Sequence, residues 1–252
     1  ARIDTGRPGP TLALIGELDA LVVPGHPNEN PETHAAHACG HNAQIAGLIG
    51  AASALSDPAI LRDLSGSIVL MAVPAEEYVE VEYRYGLVKS GELEFMGGKP
   101  ELIARGEFDD VDIAMMIHTH SRPDENGMAS VTESNNGCVV KQVRYIGTAA
   151  HAGGAPHLGI NALYAAHVGI TGINALRETF RDEDSVRVHP IITHGGEIVN
   201  VIPSEVTLET YVRGKTTEVI EAASAKVDRA IKAGALALGA QVEIVTMPGY
   251  LP

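Results

Sequence analysis

Apolar and polar segments alternate along the first half of the chain in a way that predicts strands and helices in turn. Residues 11–21 form an apolar segment that ends in acidic residues and suits a buried strand. After Gly40, apolar residues recur at helical spacing. Nearly continuous apolar runs at 67–73 and 111–118 are typical of strands covered on both faces. A short helix, interrupted by glycine and proline, is predicted over 93–105. This order favours an α/β fold.

The second half of the chain has a different order of predicted strands, with longer helices between them. Its segments read in the order β-α-β-β-α-β, over residues 139–146, 158–180, 185–193, 205–212, 217–238 and 241–246. That order is the one found in the ferredoxin-like unit, a sheet with two helices on one face. The second half is therefore predicted to be an α+β domain.

The change of pattern predicts two domains. Residues 1–137 are expected to form the α/β domain, residues 138–246 the inserted α+β domain, and residues 247–252 a return toward the first domain. The first domain contains three predicted core strands, fewer than a doubly wound sheet usually has. We therefore expect the sequence to be the middle of a longer protein, with the first domain incomplete.

Composition and charge narrow the classes of function. The 252 residues are 45% hydrophobic and 20% charged, which is typical of a soluble globular protein. A net charge of −14 repels phosphate backbones, so a nucleic-acid partner is not expected. The longest apolar run, at 68–73, is too short to span a membrane, and no secretion signal is visible. Two cysteines cannot form a disulfide framework, so we expect a cytoplasmic protein.

The densest chemical signal is the segment HAAHACGHN at residues 34–42, which holds three histidines and a cysteine before the predicted helix. Thiolate and imidazole groups are ligands for zinc and for other late first-row divalent ions. Cys39 and His41 are therefore candidate metal ligands. A polar loop with chance histidines is the alternative.

A pair of carboxylates, Glu76 and Glu77 in the segment PAEE, follows the predicted strand 67–73. Open α/β sheets bind ligands at the carboxyl ends of their strands. Adjacent residues of an extended segment point in opposite directions, so one glutamate can bind a metal while the other serves as a general base for water. Metal-assisted hydrolysis needs both roles. The alternative is a glutamate pair that opens a helix.

Two further strand ends carry polar side chains. His118 and His120 close the predicted strand 111–118, for which a surface loop of histidines is the alternative. Glu17 and Asp19 end the first strand, where Asp19 could orient a histidine ligand. Together these strand ends predict the site of a metal-dependent hydrolase.

These motifs resemble those of the M20 metallopeptidase family, in its amidohydrolase branch. GELDAL, HACGHN, PAEE and the strand ending in IH are similar to its metal-site motifs. Residues 147–163 (GTAAHAGGAPHLGINAL) and 195–214 (GGEIVNVIPSEVTLETYVRG) are similar to motifs of its second domain. The run from Gly97 into AMMIH looks most like the aminobenzoyl-glutamate hydrolase and aminoacylase-1-like 2 group. The resemblance implies a zinc-peptidase-like catalytic domain, incomplete here, with an inserted ferredoxin-like dimerisation (lid) domain.

The resemblance also implies roles for individual residues of the first domain. Its general base corresponds to Glu76, and its metal ligands correspond to Cys39, His41, Glu77 and His118. One or two divalent ions, zinc or manganese, are expected in each subunit. His120 is a weaker ligand candidate.

Residues outside this ligand set receive roles through the same resemblance. Asp19 would orient a ligand, and His151 matches a histidine that reaches across a dimer to polarise the scissile carbonyl. Asn200 and Arg213 match residues that hold the substrate carboxylate, a task that suits the bidentate guanidinium. A pair between Arg213 and Glu209 is the alternative.

The sequence departs from the family pattern in two ways. Asn42 stands where many relatives have aspartate after the CGH motif. The family also has an N-terminal helical portion and a later catalytic-domain segment with one more histidine ligand, and neither has a counterpart in this sequence. The resemblance therefore implies a site that lacks one ligand.

The implied function is metal-dependent hydrolysis of an amide bond. The expected substrate is a small molecule with a carboxylate: an N-acyl amino acid, an aminobenzoyl-glutamate-like compound or a dipeptide. The same fold acting as an aminopeptidase or carboxypeptidase is one alternative, and a non-catalytic metal-binding or ligand-binding dimer is another. A homodimer through the inserted domain is expected in each case.

Overall fold

A computed structural model describes residues 1–120, 129, 131–132 and 134–252 of the chain. The chain divides into two compact units, Ala1–Ser130 (unit 1) and Val131–Pro252 (unit 2). This division falls between residues 130 and 131, whereas the sequence pattern predicts a boundary at residue 137.

Unit 1 is an α/β unit. Its elements in chain order are β1 (Arg2–Asp4), β2 (Thr11–Glu17), β3 (Leu21–Val22), β4 (Ala35–Ala36), α1 (His41–Leu55), α2 (Pro58–Leu61), β5 (Ser67–Val73), α3 (Val81–Ser90), α4 (Gly98–Ala104) and β6 (Ile113–Met116). The main sheet has the order β1-β5-β2-β6, in which β2 runs parallel to both β5 and β6. Since these three strands are parallel, their carboxyl ends lie at one edge of the sheet.

Two local features of α1 fix the carboxyl ends of the neighbouring strands. Gly40, just before the helix, has a φ of 92°, and a Cβ there would lie 2.2 Å from Oγ1 of Thr119. Only glycine fits this close approach. The buried Gln44 accepts a hydrogen bond from N of Glu17 (2.7 Å) and donates one to O of Ile117 (2.5 Å). Gln44 therefore ties the end of β2 to the segment that follows β6.

The predicted strand 111–118 is shorter than expected and is not buried. β6 spans Ile113–Met116, and all four of its residues are exposed. It lies at the edge of the sheet, where β2 is its neighbouring strand. The described residues therefore do not cover its apolar side chains. The helix predicted over 93–105 is also shorter, because α4 begins only at Gly98.

Unit 2 is an antiparallel sheet with two helices. Its elements are β7 (Gly137–Ile146), α5 (Ala162–Ala175), β8 (Arg187–Val188), β9 (Ile191–His194), β10 (Glu205–Gly214), α6 (Thr217–Leu238) and β11 (Gln241–Pro248), with short 3-10 turns at Pro156–Leu158, Arg177–Thr179 and Asp182–Asp184. The sheet order is β11-β7-β10-β8, and β9 also pairs with β10. The β-α-β-β-α-β order predicted from the sequence agrees with this arrangement.

The core of unit 2 lies between the sheet and its helices. Val143, Tyr145, Leu208 and Val212 point from β7 and β10 into the same apolar cluster as Ile231 of α6. The apolar stripe of α6 was predicted from the sequence with the same bounds. Burial of these side chains stabilises the unit by about 1.5–3 kcal/mol for each large residue.

Two predicted elements of unit 2 differ from the structure. The helix predicted over 158–180 is confined to Ala162–Ala175, where Asn161 caps its first turn by accepting from N of Tyr164. The strand predicted over 185–193 is split into β8 and β9, with His189 and Pro190 between them. Proline lacks the N–H that a continuous strand would need.

Residues 247–252 lie against the start of β7. β11 continues through Pro248, after which N of Gly249 donates to O of Cys138 (3.1 Å) and N of Cys138 donates to O of Tyr250 (2.9 Å). The predicted strand 241–246 is therefore longer than expected, and the segment assigned to a return toward the first domain extends the sheet of unit 2.

Candidate active site

Polar side chains meet at the carboxyl edge of the parallel strands in unit 1. Glu17 ends β2, Glu76 and Glu77 follow β5, His118 follows β6, and His41 opens α1. The positions of these residues agree with the sequence analysis, which placed each at a strand end or a helix start. Their roles remain proposals.

One group at this edge is made of sulfur and nitrogen donors. One ligand atom from each of Cys39, His41 and His118 lies within 4.8 Å of the others. Sγ of Cys39 lies 3.6 Å from Nε2 of His118. Nδ1 of His118 lies 2.8 Å from O of Thr119, a contact that leaves Nε2 as the nitrogen facing the thiol. A thiolate and two imidazoles suit zinc.

Glu77 borders this group. Its backbone N donates to Oδ2 of Asp19 (2.7 Å), and its carboxylate accepts a hydrogen bond from the Cys39 thiol. Burial raises the pKa of Cys39 to about 11, and the hydrogen bond to Glu77 and the charges of Glu76 and Glu77 add to this shift. Of the predicted ligands, Cys39, His41 and His118 thus lie within 4.8 Å of one another, and Glu77 lies beside Cys39.

His41 is held by Asp19 and faces Glu17. Its Nδ1 lies 2.9 Å from the backbone O and 3.5 Å from Oδ1 of Asp19. Its Nε2 lies 3.2 Å from Oε2 of Glu17. Among the described residues, Glu17 Oε2, Asp19 Oδ1 and His41 Nε2 are buried without a hydrogen-bond partner. Buried lone pairs without a donor are costly, and a cation satisfies them, so the residues present fit a metal ion.

Glu17 is the residue that sequence reasoning missed. It ends β2 two residues before Asp19, its side chain is 1% exposed, and its Oε1 is paired with Nζ of Lys99. The signal in the sequence was a charged residue at the end of an apolar strand. A charged residue there is almost never fully buried without a partner.

Glu76 points to the Glu17 side of His41. One atom each of Glu17, His41 and Glu76 lies within 4.8 Å of the others. The preceding residue, Ala75, has a φ of 58°, an uncommon conformation for a residue with a side chain. Burial raises the pKa of the Glu76 carboxyl, the negative charge of Glu17 raises it further, and Lys99 opposes the shift. A carboxyl with a raised pKa suits general acid–base work near neutral pH.

In unit 2, the structure brings His151 next to Asn200. N of Ala152 donates to O of Asn200 (2.8 Å), and His151 forms a β-bridge with Val201. Nδ1 of His151 accepts hydrogen bonds from N of Gly153 (3.1 Å) and N of Gly154 (2.8 Å). The proton of the neutral ring is therefore on Nε2, which makes Nε2 a donor.

Two other candidate residues are exposed. Arg213 lies near the end of β10, with its guanidinium 5.2 Å from the ring of Tyr211. His120, the weaker ligand candidate, belongs to neither of the two groups that could hold a metal among the described residues. The structure thus brings Cys39, His41 and His118 together in unit 1 and has His151, Asn200 and Arg213 in unit 2.

Comparison with known proteins identifies relatives over nearly the whole chain. Residues 137–237 match the M20 family model described as a peptidase dimerisation domain. The chain is 32% identical to the Xaa-Arg dipeptidase of Homo sapiens over 97% of this chain and 49% of that protein. It is 30% identical to the indole-3-acetyl-aspartic acid hydrolase of Enterobacter agglomerans over 98% of this chain and 54% of that protein. The chain therefore spans about half the length of these curated relatives.

A solved structure shares the fold. It is that of a Bacillus subtilis protein described as a dinuclear metal binding peptidase from the M20 family, with a TM-score of 0.58 and 22% sequence identity. The match covers 100% of this chain and 60% of that one.

Among the described residues, no helix combines the length and the apolar character needed to cross a membrane.

Proposed function

Because the chain belongs to the M20 peptidase family, we propose that it provides the metal-binding and dimerisation parts of a metal-dependent amidohydrolase or peptidase. The proposed substrate is an N-acyl amino acid, an aminobenzoyl-glutamate-like compound or a dipeptide. The observation that carries the proposal is the group of Cys39, His41 and His118, whose ligand atoms lie within 4.8 Å of one another, with Glu77 beside Cys39.

The chemistry of the donors supports a divalent ion in this cluster. Cys39, His41, Glu77 and His118 would hold one or two ions, for which the thiol and imidazoles favour zinc and the carboxylates permit manganese. When bound, such an ion polarises the substrate carbonyl and makes water more acidic. Asp19 keeps His41 in the tautomer that presents Nε2 to the cluster.

Glu76 is proposed to move the proton. It removes a proton from the attacking water as the water adds to the amide carbonyl, and it returns the proton to the leaving nitrogen. Burial and the negative charge of Glu17 raise the pKa of the Glu76 carboxyl, which makes the carboxylate a stronger base toward the proton of water.

Residues of unit 2 are proposed to bind the substrate. The Nε2–H of His151 would donate to the oxygen of the carbonyl under attack, in the active site of the second subunit of a homodimer. Asn200 and Arg213 would hold the substrate carboxylate, for which a guanidinium is well suited. The dimerisation domain matched by residues 137–237 supports the homodimer.

A cytoplasmic location is part of the same proposal. Neither Cys39 nor Cys138 is in a disulfide bond, as is usual for proteins of a reducing compartment. The acidic net charge of −14 supports the absence of a nucleic-acid partner.

The substitution Glu76→Gln tests the function. We expect it to lower kcat for hydrolysis of aminobenzoyl-glutamate or a dipeptide by at least about 100-fold, because general acid–base catalysis contributes factors of this size. Metal content should stay at the level of the unchanged protein. The matched control is Glu82→Gln, an exposed carboxylate in the first turn of α3, which should leave kcat unchanged.

Two results would contradict the proposal. Full activity in Glu76→Gln with metal bound would remove Glu76 from the mechanism. An unchanged protein that binds metal but hydrolyses none of these amides would favour the non-catalytic binding dimer.

A further inference from the structure

Two arginines stand directly opposite each other in the sheet of unit 2. Arg213, near the end of β10, is the Cα partner of Arg187, the first residue of β8. The adjacent pair, Val212 and Val188, lies in the core of the unit. Because successive side chains of a strand point to opposite faces, both arginines lie on the other face of the sheet, where they are exposed.

The charges of these two arginines are not neutralised by the described residues. Like charges directly opposite each other destabilise an antiparallel pair of strands. Among the described residues, no carboxylate forms an ion pair with Arg187 or Arg213. Arg144, on the same face of the sheet, is by contrast paired with Glu205 (2.6 Å) and Glu243 (3.2 Å). An anion bound from solution would relieve the repulsion between the two arginines.

Both guanidinium groups keep hydrogen-bond donors for such an anion. The guanidinium of Arg213 lies over the ring of Tyr211, 5.2 Å from its centroid, and this contact holds the group without using its N–H donors. Nη1 of Arg187 donates to O of Val186 (2.8 Å). A guanidinium has five N–H donors and binds a carboxylate through two of them. Each arginine can therefore bind a carboxylate of its own.

We propose that Arg187 binds a second carboxylate of the substrate, next to the carboxylate assigned to Arg213. Two positive charges match a dicarboxylate, so the substrate is an N-acyl derivative of glutamate or aspartate and not of an amino acid with a neutral side chain. This inference rests on the proposed function and adds Arg187 to the residues that select the substrate.

The spacing of the two arginines suits a short dicarboxylate. Directly opposite residues of an antiparallel pair have Cβ atoms about 4.5–5.5 Å apart, so the two guanidinium groups extend from neighbouring points of the sheet. In glutamate and aspartate, only a short carbon chain separates the two carboxylates. One such molecule can therefore contact Arg187 and Arg213 together.

The test compares two substrates that differ in one carboxylate, N-(4-aminobenzoyl)-L-glutamate and N-(4-aminobenzoyl)-L-glutamine. The unchanged protein should hydrolyse the glutamate compound with the higher kcat/KM. Arg187→Gln should lower this kcat/KM by about 10–100-fold, mainly through a higher KM, because one hydrogen bond between charged groups contributes a factor of this size. The glutamine compound should lose much less. The matched control is Arg181→Gln, an exposed arginine paired with Glu183, which should change neither value.

Other results would overturn the inference. Equal kcat/KM of the unchanged protein for the two compounds would show that a second carboxylate is not recognised. An equal loss for both compounds in Arg187→Gln would show that Arg187 does not select the second carboxylate. If Arg187→Gln does not fold, as judged by circular dichroism, the side-chain Nε–H resonance of Arg187 in the unchanged protein decides. It must shift with N-acetyl-L-glutamate and not with N-acetyl-L-glutamine.

Binding measurements separate this inference from the proposed function. Isothermal titration calorimetry of Glu76→Gln with the same two N-acetyl compounds reports binding without hydrolysis. Tighter binding of the glutamate compound by a protein that hydrolyses neither aminobenzoyl compound would keep Arg187 as a binding residue and refute the amidohydrolase. Equal hydrolysis of both aminobenzoyl compounds would keep the amidohydrolase and refute the role of Arg187. A protein that neither binds nor hydrolyses any of these compounds would refute both.

Discussion

At the scale of single residues, His41 and His151 are held in opposite tautomers by backbone groups. Nδ1 of His41 is bonded to the carbonyl of Asp19, which leaves Nε2 as an acceptor for a metal. Nδ1 of His151 accepts from the N–H groups of Gly153 and Gly154, which leaves Nε2 as a donor. Histidine can thus act as a metal ligand in one place and as a hydrogen-bond donor in another, because the backbone contact determines which ring nitrogen carries the proton.

The tautomer of His151 is a prediction that can be tested directly. A long-range ¹H–¹⁵N correlation spectrum at a pH where the ring is neutral should show His151 protonated at Nε2. His151→Phe, which has no donor, should lower kcat for amide hydrolysis by about 100–1,000-fold, the loss typical of one oxyanion-stabilising donor. Metal content should not change.

The control for this prediction is His157→Phe, an exposed histidine of the neighbouring 3-10 turn. It should retain kcat. A His151 ring protonated at Nδ1, or a His151→Phe variant with unchanged kcat, would contradict the assignment of His151 as a donor to the substrate.

At the scale of elements, unit 2 depends on a close crossing between α5 and α6. Gly234 of α6 faces Gly169 of α5, and a Cβ at Gly234 would lie 2.4 Å from O of Ala165 and 2.6 Å from N of Gly169. The Tyr145 hydroxyl donates to O of Ile231 (3.1 Å) in the same region. The two helices therefore touch through their backbones, with no room for a methyl group.

The prediction at this scale is that Gly234→Ala destabilises unit 2 by about 1–3 kcal/mol, the usual cost of overpacking a core. Native-state hydrogen exchange of the α6 amides should show the loss as reduced protection. The matched control is Gly50→Ala in α1, where a Cβ meets nothing within 4 Å and should stabilise its helix by about 0.5–1 kcal/mol. Unchanged hydrogen-exchange protection of α6 in Gly234→Ala would contradict this prediction, because it would show that α5 and α6 can move apart to admit a methyl group without loss of stability.

The elements that could be predicted from sequence are those whose pattern matches their burial. The bounds of β5 and α6 agree with the predictions, because β5 is a continuous apolar run and α6 has an amphipathic stripe between Thr216 and Gly239. The exposure of β6 could not be predicted, since burial depends on which elements cover the strand. α3 was missed because its sequence, VEYRYGLVKS, carries no clear apolar face.

The candidate ligands could be located for a related reason. Cys39, His41, Glu77 and His118 stand at the ends of predicted strands or the start of a predicted helix, and topology brings such ends together. Glu17 has the same location and lies in the GELDAL motif, but the resemblance gives a role there only to Asp19. Its importance depends on burial and on the distance to His41, which sequence does not contain.

At the scale of the whole molecule, the two edges of the sheet in unit 2 differ in character. β11 carries Glu243, which is paired with Arg144, and charged side chains protect an edge from pairing with another strand. β9 lies on the other side of β10 and exposes Ile191 and Ile192, which are 50% and 39% exposed. The β9 side is therefore the edge better suited to contact a second subunit.

The proposed homodimer should form through this β9 edge and be lost when the edge is charged. Ile192→Lys should shift the mass measured by sedimentation velocity from about twice 26.4 kDa to the 26.4 kDa of one chain, because burying an unpaired ammonium in an interface costs several kcal/mol. Gln241→Lys, which places the same charge at the β11 edge, should leave the dimer intact. If His151 acts across the dimer, Ile192→Lys should also lower kcat while metal affinity stays constant. A monomeric unchanged protein, or a dimer that only Gln241→Lys disrupts, would refute this arrangement.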